Sequence, residues 1–562
     1  MSQVNSHLTD VSAETQSVRR RWWARVAPRP VLLLLLAVAL AAAAHVNTVE
    51  NPFAFDDRTE ILENPSIRGL GDVGLILRHN VTRPVVNLSY AVDYAVWELN
   101  RFGYHVTNLL LHLGNVVLLF ALVRRFARDL EERHHAAHGL ATTATAFTAA
   151  ALFAVHPMLT EAVGYVSGRS ELLSAALFLG SLYLFRVGMF RLDWRWLAGG
   201  GALFVLALGA KETAVMLPAV LFAVEVLIVG GSREARRWRL WHVHAPLLTA
   251  VLVAAAARIW LYAAVEHPDA AGVTWPNVLV NLHVAVRYIS LLVVPASQSI
   301  VHHVTPIESL LDARVLTAAA VFALVGTVGA VWRKQEPLVT LGIVWFFLLL
   351  APSSALILLA DRAQPMAEHR VYLASCGFFM AVAATALRAS GLREQAESRR
   401  RVTAAAVLGL VLAGLTGLTV ARNRIWADPV RLWEDAVRKA PFTYMSHYGL
   451  ADAYRSIGDC ESAGPAYERA LRIRPQNVDA YLGLAECLTE LGRSDDARTV
   501  LRLGIERSPM DARVRLALAA LEESRRNPAE ALRFCRDVLA VSPGNATAEA
   551  CVVRNQEALD GR

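Results

Sequence analysis

The feature that most constrains this chain is a series of long apolar runs. They recur at about residues 31–46, 106–123, 140–155, 171–187, 196–210 and 213–230, and again at about 245–264, 279–295, 313–332, 337–359, 371–388 and 402–420. Each approaches the length that a helix needs to cross a hydrocarbon core of about 30 Å. Composition agrees: 55% of the 562 residues are hydrophobic and 19% are charged, too apolar for a soluble protein of this size. From about Arg422 the hydropathy falls and charge rises, so a soluble domain closes the chain.

The formal net charge of +7 does not indicate nucleic acid, because the basic residues sit in short loops between apolar runs. Arg19, Arg20, Arg21 and Arg25 precede the first run, and Arg124, Arg125, Arg128 and Arg133 follow the second. Arg233, Arg236, Arg237 and Arg239 follow the sixth, and Arg388, Arg393, Arg399, Arg400 and Arg401 precede the last. Placing these loops in the cytoplasm fixes the parity of the crossings. About 11 spans satisfy it, provided that the run at 279–295, bounded by Pro276 and Pro295, does not cross. The N-terminus is then inside and the C-terminal domain outside. A cleavable signal peptide is the rival reading of residues 1–46, where AAAAHV offers a peptidase site. The division expected is a cytoplasmic tail at 1–30, a membrane domain at 31–421 with its first outward loop at 47–105, and a repeat domain at 422–562.

The last part is periodic. Pro441, Pro475, Pro509 and Pro543 are spaced by 34 residues, the tetratricopeptide period. Leu450, Ala451, Tyr454, Ala463, Tyr467 and Ala470 fall where that helical hairpin wants alternating large and small residues, while Trp433 and Ala436 suggest a preceding half repeat. Such units stack into a solenoid whose concave face commonly takes an extended peptide. The expected fold is therefore all-α: a polytopic membrane bundle followed by a repeat solenoid. Cys460, Cys487, Cys535 and Cys551 lie in the repeats, where disulfides are one reading and buried small-residue packing is the favoured one. No Cys/His spacing points to zinc.

Parity also sorts the polar residues. Asp56, Asp57, Arg83, His105, His156, Glu161, Arg169, Lys211, Glu212, Glu368, His369 and Arg370 all fall in outward connections or at outward ends of spans. Ionisable groups at membrane depth are costly unless they pair or line a cavity, so a one-sided collection reads as a functional face. For any single member, an ion pair tying loops together is the competing account. Lys211 is one of only three lysines in the chain, and Glu212 beside it is its simplest partner.

Paired carboxylates and several cations beside a membrane suit a sugar carried on a polyprenyl phosphate. The phosphate leaves without a general acid, so one carboxylate base and a set of cations suffice. A divalent metal on Asp56 and Asp57 stays open, although adjacent residues on an extended strand point apart. No nucleotide-binding glycine loop is present.

The segments FAFDDRTEILENPSI, RPVVNLSYAVDYAVWELNRFGYHVTNLLLH, HPMLTEAVGYVSGRSELL, KETAVMLP and AEHRVYLAS, followed by the repeats, resemble the transmembrane and tetratricopeptide repeat (TMTC) O-mannosyltransferases. Those proteins are lipid-donor glycosyltransferases of the GT-C fold. The resemblance, which covers nearly the whole chain, implies Asp56 as base and Asp57 as its partner. It implies Arg169, Lys211, His369 and Arg370 as candidates for the donor phosphate; Arg83, His105, His156, Glu161 and Glu212 are further candidates on the outward face that parity sets. It also implies dolichyl phosphate mannose as donor and a Ser or Thr hydroxyl of a protein, held by the repeats, as acceptor. Two departures stand out: the repeat array is short, and the arginine- and alanine-rich usage suggests a bacterial inner membrane with a shorter polyprenyl carrier. A repeat scaffold without catalysis and a lipid-linked sugar ligase or flippase are the alternatives.

Overall fold

The computed structural model describes residues 30–134, 139–261, 275–359, 364–391 and 398–561. The predicted N-terminal tail and the arginines in it lie outside the described residues. Among the described residues there are helices and turns but no strand. A backbone in lipid must satisfy its own hydrogen bonds, and a single chain segment does so as a helix. The chain divides into two compact units, the second comprising Ile425–Arg562 together with the short segments Ser297–Thr305 and Gln364–Ala367.

In the first unit, nine helices among the described residues are long and apolar enough to cross a membrane, or ten if a bent pair counts as one span. The bent pair, Ala141–Val155 and Pro157–Gly164, turns through 56°. Its cause is Pro157, which drives the preceding His156 out of the helical region, to φ −76° and ψ 127°. The run set aside as non-crossing instead forms Trp275–Val293, a helix of 19 residues that is long enough. Pro276 stands in its first turn, where a missing N–H is harmless, so the proline bounds the helix without breaking it. The shorter apolar helices are Trp194–Leu208 and Pro337–Ser353. By length and composition this run is as able to cross as its neighbours, whereas two other apolar runs form shorter helices.

Ion pairs close the end of this bundle away from the first loop. Arg186 meets Asp129, Arg239 meets Glu225 at 2.8 Å, and Arg388 meets Glu336 at 2.8 Å. Some loop arginines thus neutralise acids on neighbouring helices. Between Pro337–Leu359 and Tyr372–Ala389 the backbones approach so closely that a Cβ on Gly342 would lie 2.3 Å from the Gly377 carbonyl oxygen. Small residues give membrane helices this contact, and Trp345 Nε1 donates across it to the Leu373 carbonyl at 2.9 Å.

At the other end the last span is clasped to the first. Asn423 Nδ2 donates to the Ala44 carbonyl at 3.0 Å and to Asn47 Oδ1 at 2.9 Å, while Asn47 Nδ2 donates to the Val420 carbonyl at 3.2 Å. The first and last spans accordingly run parallel.

The second unit is a stack of helical hairpins. Tyr444–Ser456 pairs with Cys460–Ile473, Val478–Glu490 with Ser494–Arg507, and Ala512–Ser524 with Pro528–Val541. Single helices flank them, Pro429–Lys439 before and Ala546–Leu559 after. The four periodic prolines all lie in turns, Pro475 and Pro509 between successive hairpins and Pro441 and Pro543 beside the flanking helices. Trp433 and Ala436 are buried in the leading helix, and Gly483 has no side chain because a Cβ there would lie 2.4 Å from the Tyr467 ring. Contrary to the packing expected of them, the cysteines pair as Cys460–Cys487 and Cys535–Cys551, with Cα separations of 4.9 and 6.0 Å. Each bond joins the second helix of one repeat to the first helix of the next, a neighbour relation that spacing does not reveal.

Candidate functional site

The first loop is a folded structure. Asn51 begins it by donating to the Gly164 carbonyl at 3.3 Å, while His105 Nε2 lies 3.1 Å from the Asn51 carbonyl oxygen. Phe55 takes a left-handed φ of 50°, which reverses the chain just before the acidic pair. A π-helical turn, Arg58–Leu62, follows. Asn64 then stitches the loop: its Oδ1 accepts from Ser66 N at 3.0 Å and its Nδ2 donates to Asn87 Oδ1 at 2.9 Å. Asp72 caps the helix Val73–His79, and Pro84 opens the helix Pro84–Trp97.

The two carboxylates have different surroundings. Asp57 is fully buried: its Oδ1 accepts from Ser167 N at 2.8 Å and Ser167 Oγ at 2.6 Å, and its Oδ2 accepts from Ala54 N at 3.0 Å. Burial pushes its carboxyl up to about 7, outweighing those three donors, which favour the charged form. Asp56 is exposed, and its backbone N–H donates to the Tyr165 hydroxyl at 3.0 Å. The protein massed around it raises its carboxyl above the usual range, while Tyr165, His369 and Arg83 pull it back. The turn that receives both residues, Tyr165–Gly168, is tight, since a Cβ on Gly168 would lie 2.5 Å from the Ala162 carbonyl oxygen.

Around Asp56 the structure gathers basic residues from three segments. Arg83 lies 3.8 Å from Glu212, and Glu212 also feels Lys211 and Arg370. His369 accompanies Arg370 on the short turn Glu368–Val371, within electrostatic reach of Asp56, Lys211, Arg83 and Glu171. Its Nδ1 meets Glu161 Oε1 at 2.7 Å, and its backbone N–H donates to Glu161 Oε2 at 3.2 Å. Glu161 therefore fixes the ring by two contacts, leaving Nε2 as the ring atom that can serve a ligand. Arg83, His369 and Arg370 are all partly exposed.

Other residues of the expected face are spent internally. Arg169 is fully buried: its Nη1 meets Asp93 at 2.5 Å, its Nε donates to Asn108 Oδ1 at 2.9 Å and its Nη2 donates to the Tyr104 carbonyl at 2.8 Å. The Tyr90 ring lies 4.8 Å from its guanidinium. It offers nothing to a phosphate. His156 is likewise consumed, with Nδ1 accepting from Met158 N at 3.2 Å and Nε2 lying 3.1 Å from the Leu292 carbonyl oxygen. Buried His105 tethers the loop. Lys211, 3% exposed, meets Glu171 at 2.5 Å, so its partner is a helix neighbour in space and not the adjacent Glu212.

Sequence reasoning did not single out Tyr165, Ser167, Glu171 or Asp93. An acid at the head of an apolar run was the available signal for Glu171, since such a group needs a partner. Among the described residues no group of three or more His, Cys, Asp or Glu side chains is placed to hold a metal ion. Asp57 has committed both oxygens to protein donors, so of the pair Asp56 alone presents an exposed carboxylate.

Two family profiles described as "Tetratricopeptide repeat" match residues 455–521 and 417–478. Among curated proteins, the chain is 22% identical over 79% of its length to "Protein O-mannosyl-transferase F38B6.6" of Caenorhabditis elegans, covering 63% of that protein. It is 25% identical over 85% of its length to "Protein O-mannosyl-transferase Tmtc3" of Drosophila melanogaster, covering 59% of it. Over a third of the chain (34%), identity to "Protein O-mannosyl-transferase Tmtc2" of the same organism reaches 34%, covering 21% of that protein. The chain thus spans less than two thirds of the length of these relatives. Among solved structures, a crystal structure of MamA protein is 16% identical over 23% of this chain and 72% of that one, with a TM-score of 0.22. By these comparisons the chain is similar to protein O-mannosyl-transferases over most of its length and carries tetratricopeptide repeats in its last part.

Proposed function

We propose that the chain is a membrane glycosyltransferase that moves a sugar, mannose by its relatives' names, from a polyprenyl phosphate to a Ser or Thr hydroxyl of a protein. The observation that carries the reading is the exposed Asp56 carboxylate, held on a braced turn beside the partly exposed cations Arg83 and Arg370 and the His369 imidazole, which burial and the neighbouring cations keep neutral. Asp56 takes the acceptor proton as the hydroxyl oxygen bonds to the anomeric carbon. The bond from that carbon to the phosphate oxygen breaks, its electron pair leaves with the phosphate, and the cations stabilise the charge that develops there. Asp57 holds the turn, Glu161 aims His369, and Glu212 with Lys211 and Glu171 balances the local charge. Arg169 stands outside this machinery.

The acceptor protein is read as a segment held by the repeat unit, in keeping with the peptide-binding habit of such solenoids. The reading places Asp56 and the repeats on the extracytoplasmic side. Two disulfides support an oxidising compartment, and the last span ends beside Asn47, at the end of the bundle that bears Asp56.

The test is Asp56→Asn in membranes supplied with a radiolabelled polyprenyl phosphate mannose and an acceptor protein. Loss of general-base catalysis predicts a fall of about 10²-fold or more in transfer at unchanged protein abundance. Transfer at the wild-type rate sinks the assignment of Asp56.

A further inference from the structure

At the end of the bundle away from Asp56, four helices enclose a cavity of about 720 Å³. Its walls include Leu33 of the first span, Leu152, Leu387 and Val411, and Ser390 and Arg401 lie at its mouth. Its position follows from the helix directions. Leu33 lies near the start of Pro30–His45 and Arg401 near the start of Ser398–Trp426, two helices clasped together at their far ends by Asn423 and Asn47.

Depth identifies what fits. The 22 residues from Arg401 to Asn423 rise about 33 Å along the helix, close to a hydrocarbon thickness of about 30 Å. The ten from Arg401 to Val411 rise about 15 Å. The cavity is therefore one leaflet deep, with a guanidinium at headgroup level. Arg401 Nε is enclosed and has no hydrogen-bond partner among the described residues, and Arg399 and Arg400 beside it are exposed. A second apolar cavity of about 490 Å³, lined by Phe346 and Phe378 among others, has no charged residue.

We propose that the larger cavity holds an acyl chain of one anionic phospholipid from the leaflet facing away from Asp56, with its phosphate on Arg401. A polyprenyl phosphate bound there would carry its sugar a full membrane thickness from Asp56. A zwitterionic headgroup would bring an ammonium toward three arginines. The site is separate from the proposed reaction centre and does not depend on it.

Native mass spectrometry of the detergent-purified full chain, titrated with phosphatidylglycerol and with phosphatidylcholine, tests this. The wild type retains one phosphatidylglycerol in clear preference to phosphatidylcholine. One arginine near an anionic headgroup is worth a factor of about five, so Arg401→Gln lowers retention about fivefold. Ala404→Phe, which fills the cavity, lowers it while leaving the protein monodisperse. Equal retention of the two lipids by the wild type overturns the proposal, as does full retention by Ala404→Phe or displacement by an equimolar polyprenyl phosphate. If either variant does not fold, the preference of the wild type still decides.

Discussion

Asp56 and Asp57 are neighbours in sequence with opposite tasks: one faces solvent, and the other spends its oxygens on Ser167 and Ala54. This difference is measurable. Asp57 in the folded chain holds its proton to about 7, against an ordinary 3.8, so between those values the folded state binds more protons than the unfolded one. Its contribution to stability is fully present below about 3.8 and is lost as pH rises through about 7. The unfolding temperature in detergent is expected to decline across that window more steeply in the wild type than in Asp57→Asn; equal slopes would remove Asp57 as the cause. The acidic pair was legible in the sequence because it interrupts an apolar chain. Its division of labour was not, because that depends on Phe55 turning the backbone and on Ser167, which is 110 residues away.

Helices are the scale at which Arg169 acts. It heads Arg169–Arg191 and binds it to Pro84–Trp97 through Asp93 and to Arg101–His134 through Tyr104 and Asn108. Removing one partner of a buried pair strands the other, typically at 3–5 kcal/mol. Arg169→Met is expected to lose about that much stability, read as a fall in yield and unfolding temperature, and a second change of Asp93→Asn is expected to recover part of it. Recovery of the single variant at wild-type yield and unfolding temperature would show that the pair is not structural. The sequence shows that ionisable residues collect at one end of the spans, since hydropathy makes each conspicuous. It does not show which are spent on each other: Arg169 with Asp93 and Lys211 with Glu171 are contacts across space. Helix lengths carry the same lesson, because Pro157 bends one run and Pro276 merely starts another.

For the whole molecule, the 34-residue period was enough to read the solenoid, because each turn needs its proline and each hairpin its small residues. The covalent bonds between successive repeats were not readable from that period. Closing segments with sequence separations of 27 and 16 removes about 3 kcal/mol of chain entropy from the unfolded state in each case. Reductant is therefore expected to make the repeat unit of the intact protein unfold at a lower temperature and become sensitive to protease, while Cys460→Ser and Cys535→Ser reproduce the change without reductant. An unchanged transition would mean the thiols are free.

The clasp between Asn423 and Asn47 also has a consequence in time. The two residues are 376 positions apart, so Asn47 is made long before its partner. At about 5–20 residues per second, roughly 20 to 80 seconds of synthesis separate them. Until then the segment leading into Asp56 lacks its contact with the last span, and the nascent chain emerges with that end of the bundle open.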